Sequence, residues 1–178
     1  MLSFLIALTS LNLTYESDTL FRSIEAGFEV RVPGEMIHDI KQFQTEIGEI
    51  NYHSFYYQSE SDTSGSFVYV ISYYDSPALK IPADSVTLIE EFFQSTVEQA
   101  AMSLAGEVLI LDDISYRGKY PGKFWRLHYN GGRSVMKTKA FLVEGRFYSV
   151  QVAVEARFSL SDEIDNFMNS FKLINIKY

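Results

Sequence analysis

From Gly27 onward the hydrophobic and polar positions of the chain fall into regular periods. In GFEVRVPG, Phe28, Val30 and Val32 alternate with Glu29 and Arg31, and Pro33-Gly34 ends the run, which predicts a strand. The stretch KQFQTEIGEINYHSFYYQ alternates, breaks at Gly48 and resumes through Ile50, Tyr52 and Ser54, the pattern of a hairpin. FVYVISYYD is apolar on both faces and predicts a strand inside its sheet. After Pro77 and Pro82 the period lengthens. Ile89, Phe93, Val97, Ala100 and Leu104 fall on one stripe and predict a long helix over roughly residues 85–105, capped by Asp84 or Ser85 and ended by Gly106.

Four strand patterns follow, Glu107 to Tyr116, Lys123 to Tyr129, Ser134 to Val143 and Arg146 to Ala156. NGG at 130–132 and EG at 144–145 are tight turn signals, so the last three form an antiparallel meander. The chain closes on SDEIDNFMNSF, where Ser161 is a cap and Ile164, Phe167, Met168 and Phe171 make the apolar stripe of a short helix. The sum is an α+β fold: an antiparallel sheet of about seven strands flanked by a long central helix and a C-terminal helix. This packing requires Trp125 and Phe167 to be buried.

Upstream of these patterns, MLSFLIALTSLNLTYESD opens with an apolar run from Leu2 to Leu8, well short of the ~20 residues of a membrane-spanning helix. It has the character of the apolar part of a secretory signal peptide, although basic residues are missing ahead of it. Residues 1–15 therefore read as a truncated signal peptide or an N-terminal arm, and 16–178 as one α+β domain. The first reading places the protein outside the cytoplasm, periplasmic or secreted; the second leaves it cytoplasmic. Residues 14–26 read as a polar lead-in.

The early GFEVRVP strand, a central helix after a proline-rich turn, the EGRFYSVQVAV strand and a last helix ending FMNSFKL together resemble the PsbP-like and Mog-like group. The resemblance covers roughly residues 25–173 and rests on core-packing patterns. It implies a single α/β/α sandwich and a binding or accessory role, since the group's members include extrinsic subunits of photosystem II, a binder of the Ran GTPase and many exported bacterial proteins. No functional motif of that group is matched here, so no site residue is carried over.

Composition narrows the chemistry. With 47% hydrophobic and 21% charged residues, the chain is a globular one with ample core. The absence of cysteine excludes disulfides, thiolate metal sites and cysteine nucleophiles. A net charge of −8 argues against nucleic-acid binding, and it is unevenly spread. Residues 1–116 hold 18 acids and 4 bases, whereas the remainder holds 5 acids and 11 bases.

His38, His53 and His128 stand far apart in sequence with no metal-ligand spacing around them. Asp112 and Asp113 are neighbours on a strand and point to opposite faces. GKYPGK at 118–123 lacks the spacing of a phosphate loop and reads as a turn. No nucleotide, metal or nucleophile-elbow signature occurs, and no cofactor is implied.

The meander offers one candidate surface. If its apolar sets all face one core, Arg126, His128, Lys137, Lys139, Ser149 and Gln151 share an exposed face. The four basic residues among them would then form a strip for an acidic protein, phosphate-bearing lipid or polyanionic glycan. Alternatively the bases are neutralised by acids of the first half, interleaved in the same sheet. The functional expectation is a non-catalytic, exported binding or accessory domain engaging a protein or cell-envelope partner. A carrier of a small apolar ligand held between sheet and long helix is the alternative, and an enzyme with a site assembled from distant residues the third choice.

Overall fold

The computed structural model describes residues 18–45, 48–59, 65–76, 79–82 and 85–174. The apolar run Leu2–Leu8 and the Asp84 cap lie outside these residues.

The main sheet has seven antiparallel strands. In chain order they are β3 (Ile37–Thr45), β4 (Gly48–Ser59), β5 (Phe67–Asp75), β6 (Glu107–Tyr116), β7 (Tyr120–Tyr129), β8 (Ser134–Val143) and β9 (Arg146–Glu155). Their spatial order is β3-β4-β5-β9-β8-β7-β6. The hairpin, the interior position of β5 and the β7-β8-β9 meander agree with the periodicity. The helix α1 (Val86–Ser103) makes the long crossover from β5 at the sheet's middle to β6 at its far edge.

One face of the sheet is covered by α1. Phe93 and Val97 of its apolar stripe are buried against Trp125, Leu127, Ala140, Leu142 and Phe147. The other face carries the short helix α2 (Asp162–Ser170) and a second, three-stranded sheet of order β1-β2-β10. Its strands are β1 (Thr19–Ser23), β2 (Phe28–Val32) and β10 (Lys172–Leu173). Phe28, Val30, Val32, Ile164, Phe167, Met168 and Phe171 there bury Phe55, Tyr69, Ile71, Tyr148, Val150 and Val152. The result is an α/β/α sandwich whose second outer layer is part helix and part sheet.

Trp125 and Phe167 are both buried, as the packing requires. Two expectations change. The GFEVRV strand belongs to the small sheet, and residues 19–23, read as a lead-in, pair with it as β1.

The helix ends are fixed by local chemistry. The Ser161 Oγ accepts the Glu163 N–H, as a capping serine should. At the end of α1 the left-handed residue is Ala105, at φ 47°, while Gly106 lies one position beyond it. The Gly106 N–H donates to the Ala101 carbonyl and the Ala105 N–H to that of Met102, the paired bonds of a Schellman motif. The turns 130–132 and 144–145 hold positive φ throughout, as two tight hairpins demand.

Candidate functional site: an open sheet edge beside a basic row

Strand β6 is one of the two edge strands of the main sheet, β3 being the other. It pairs with β7 on one side, and among the described residues nothing pairs its other side. Its run VLIL is exposed residue after residue: Val108 37%, Leu109 45%, Ile110 38% and Leu111 39%. The register shifts between Val108 and Ile110, so Leu109 is the extra residue of a bulge. Edge strands usually carry charges or short lengths that stop another strand from adding on. Here the charges stand only at the ends of the run, Glu107 before it and Asp112 and Asp113 after it. Asp113 is held by Lys123 at 2.6 Å, whereas no ion pair holds Glu107 or Asp112 among the described residues.

Lys123 is the buried cation of this region, reaching Glu90 of α1 at 2.7 Å as well. Burial alone would lower its pKa. The hydrogen bonds to Asp113 and Glu90 outweigh that, so the net direction is up and the ammonium stays charged. It ties α1 to β6 and β7.

The basic residues read from the meander are brought together, but not on an open face. Arg126 pairs with Lys137 across β7 and β8, and that row continues into Val152 and Tyr69. Lys139 stands in the adjoining row with Phe124 and Val150. The four residues thus share the α2 side of the sheet with the buried valines of β9. Ser149 and Gln151 lie on the opposite, α1 side, paired with Ala140 and Thr138.

Alternation along each strand does not tell one core from two. A sheet covered on both faces has two, so Trp125 and Leu127 face one while Val150 and Val152 face the other.

Helix α2 lies along this row. The Lys139 Nζ donates to Asn169 Oδ1 at 2.6 Å, Lys137 Nζ stands 3.9 Å from Asp165, and Arg126 donates to Ser159 Oγ at 3.2 Å while contacting His128 Nε2. Burial lowers the Lys139 pKa, Asp165 opposes that and Lys137 adds to it. The interleaving of the two charge halves is also visible, in Arg146–Asp75 and in Lys123 with Glu90 and Asp113.

Two constellations escaped the sequence. His38 and His53 meet across the β3–β4 hairpin, Nε2 to Nδ1 at 3.2 Å, and stack on Phe55 and Tyr73 respectively. Burial, then the His38 charge, hold the His53 pKa below its ordinary value. The second is Arg146, which grips both Asp75 oxygens at 2.6 Å and donates to the Glu25 and Ala26 carbonyls. Its guanidinium lies 4.7 Å from the Tyr73 ring centroid. The hairpin register could have suggested the first pair; nothing local announces the second. Among the described residues no three His, Asp or Glu side chains converge as a metal site. No described helix is long and apolar enough to cross a membrane.

The sandwich of a seven-stranded antiparallel sheet between α1 and the α2 layer defines a PsbP-like fold, to which this chain is distantly related in structure. The solution structure of cyanobacterial PsbP, CyanoP, from Synechocystis sp. PCC 6803 superposes with a TM-score of 0.57 over 91% of this chain and 95% of that one, at 14% sequence identity. A crystal structure of a protein of unknown function from Pseudomonas aeruginosa covers 80% of this chain and 85% of its own at 13% identity, but with a TM-score of only 0.38. No family model matches the chain, and no curated protein matches it.

Proposed function

We propose that this chain is a non-catalytic, exported binding domain that engages a protein of the cell envelope by adding one of the partner's strands to β6. The carrying observation is the run of four consecutive exposed aliphatic residues on an edge strand whose outer side no described strand pairs. Such an edge offers main-chain hydrogen bonds for affinity and alternate side-chain positions for selectivity. Glu107 and Asp112 at its ends favour a partner segment that is apolar in the middle and basic at its flanks. The basic row Arg126, His128, Lys137 and Lys139 is the other candidate surface. Its neighbours Asp165, Asn169 and Ser159 already take hydrogen bonds or charge from it, which favours β6 as the docking edge. The apolar N-terminal run supports export.

The test is affinity capture from an envelope extract of the native host, followed by binding measurements with the purified partner. Leu109→Lys with Leu111→Lys should weaken that binding by at least about tenfold, the usual effect of losing ~1.4 kcal/mol. Lys137→Glu with Lys139→Glu should leave it unchanged. Retained affinity in the β6 variant refutes the edge, and loss confined to the lysine variant moves the partner to the basic row.

A second reading, carriage of a small apolar ligand, is favoured by one observation. A cleft of about 280 Å³ opens between the start of α1 and the sheet, walled by Leu79, Ile81, Ile89 and Leu142.

A further inference from the structure

The cleft at the start of α1 has a polar rim of definite sign. Its walls are aliphatic, Leu79 and Ile81 from the segment before α1, Ile89 from the helix and Leu142 from β8, with Pro121 of β7 closing one side. The rim carries two ammonium groups, Lys80 and Lys119, and one carboxylate, Glu144. That carboxylate is already engaged, since the Tyr120 hydroxyl donates to Glu144 Oε1 at 2.9 Å. The Lys119 Nζ lies 4.8 Å from the centroid of the Tyr120 ring. The stem of Lys80 is laid across the β8–β9 turn, where a Cβ on Gly145 would come within 2.8 Å of its Cγ.

Two ammonium groups against one carboxylate leave the mouth of this apolar slot net positive, complementary to a molecule with an oily body and a negative head, although Tyr120 already hydrogen-bonds Lys119.

We infer that this cleft binds a small amphiphile consisting of an aliphatic chain that ends in a carboxylate, the chain between Leu79, Ile81, Ile89 and Leu142 and the carboxylate between Lys80 and Lys119. The volume sets the size. At ~30 Å³ for each group of water or methylene size, the slot itself holds about nine such groups, a chain of medium length. This inference rests on the carrier reading and names the ligand class for it. It is independent of the β6 edge, whose residues lie elsewhere on the sheet.

The experiment is calorimetric titration of the purified full chain with octanoate, octanol and octylamine, which share a body and differ in head charge. Octanoate should bind at least about tenfold more tightly than the other two, since two charge-assisted contacts are available to it alone. Lys80→Glu combined with Lys119→Glu should remove that preference and leave octanol unchanged; neither lysine is buried, and the circular dichroism spectrum confirms folding. Ile89→Trp, which fills the slot, should abolish binding of all three. Octanol binding without a preference for octanoate overturns the assignment of the head group while the carrier reading stands. Failure of all three to bind the unmodified protein overturns both, and a preference that survives the double variant places the carboxylate elsewhere and overturns the site.

Discussion

Replacing Arg146 by methionine tests how the second layer is fastened to the sheet. Arg146 opens β9, yet its Nη1 donates to the carbonyl oxygens of Glu25 and Ala26 at 3.1 and 3.0 Å, in the turn between β1 and β2. Two hydrogen bonds from a charged donor contribute about 1.5 kcal/mol each at the lower end of their range. The ion pair with Asp75 is bidentate, but that carboxylate is 60% exposed, so it adds no more than about 1 kcal/mol. The Ala26 carbonyl keeps one partner after the change, since the Tyr148 hydroxyl also donates to it at 2.7 Å.

The expected cost of Arg146→Met is therefore about 3 kcal/mol, read from the shift in urea midpoint at constant slope. Arg146→Lys should recover less than half, because an ammonium cannot hold a carboxylate and two carbonyls in one plane. Asp75→Asn alone should cost under about 1 kcal/mol. If Arg146→Met costs no more than Asp75→Asn, the arginine acts only through its ion pair and the fastening argument fails. Amide exchange at Gly27, whose N–H donates to Ser23, reports the same event locally and should accelerate in the methionine variant.

Ala105→Gly should stabilise the protein by about 0.5 kcal/mol, the left-handed strain of ~1 kcal/mol less glycine's extra freedom when unfolded, and raise the melting temperature by about 1–2 °C. Gly122→Ala should destabilise by about 2 kcal/mol in the same assay, because a Cβ there runs into the Ala140 carbonyl oxygen and the ring of Phe141. The folded pKa of His53 lies below its ordinary value of 6.5, through burial and His38, with Glu25 and Asp75 opposing and Arg146 adding. The unfolded chain then binds more protons near pH 6, so this contribution is complete above pH 6.5 and is lost as pH falls through the folded pKa. Urea midpoints at pH 7.5 and 5.5 should differ less in His53→Asn than in the unmodified protein; an unchanged difference refutes the assignment.

Where local period and local turn chemistry decide the outcome, the sequence was a sufficient guide. The stripe of α2, the hairpin of β3 and β4 and the meander all belong to that class. It failed where the answer depends on which distant element lies opposite. Alternation shows that Val150 and Val152 share a side, but not that their side is the α2 layer while Trp125 faces α1. For the same reason Ser149 and Gln151 were grouped with lysines that stand on the other face. Strand β1 escaped because only Phe21 of its five residues packs into the core, too little to produce a period. The run VLIL reads as buried in any sequence scan; its exposure follows from the crossover that carries β6 to the end of the sheet. Gly106 does help to end the helix, through its N–H on the Ala101 carbonyl, but the left-handed conformation that glycine tolerates best falls on Ala105.

The chain has a single tryptophan, and it sits entirely under α1. Indole emission therefore watches one leaf of the sandwich and is nearly blind to the other, where the reporters are tyrosines such as Tyr69 and Tyr148. Excited at the indole band, a melting curve follows the detachment of α1. Followed by backbone ellipticity, it tracks the strands common to both leaves. Any gap between the two midpoints measures, in degrees, how far the leaves come apart one at a time.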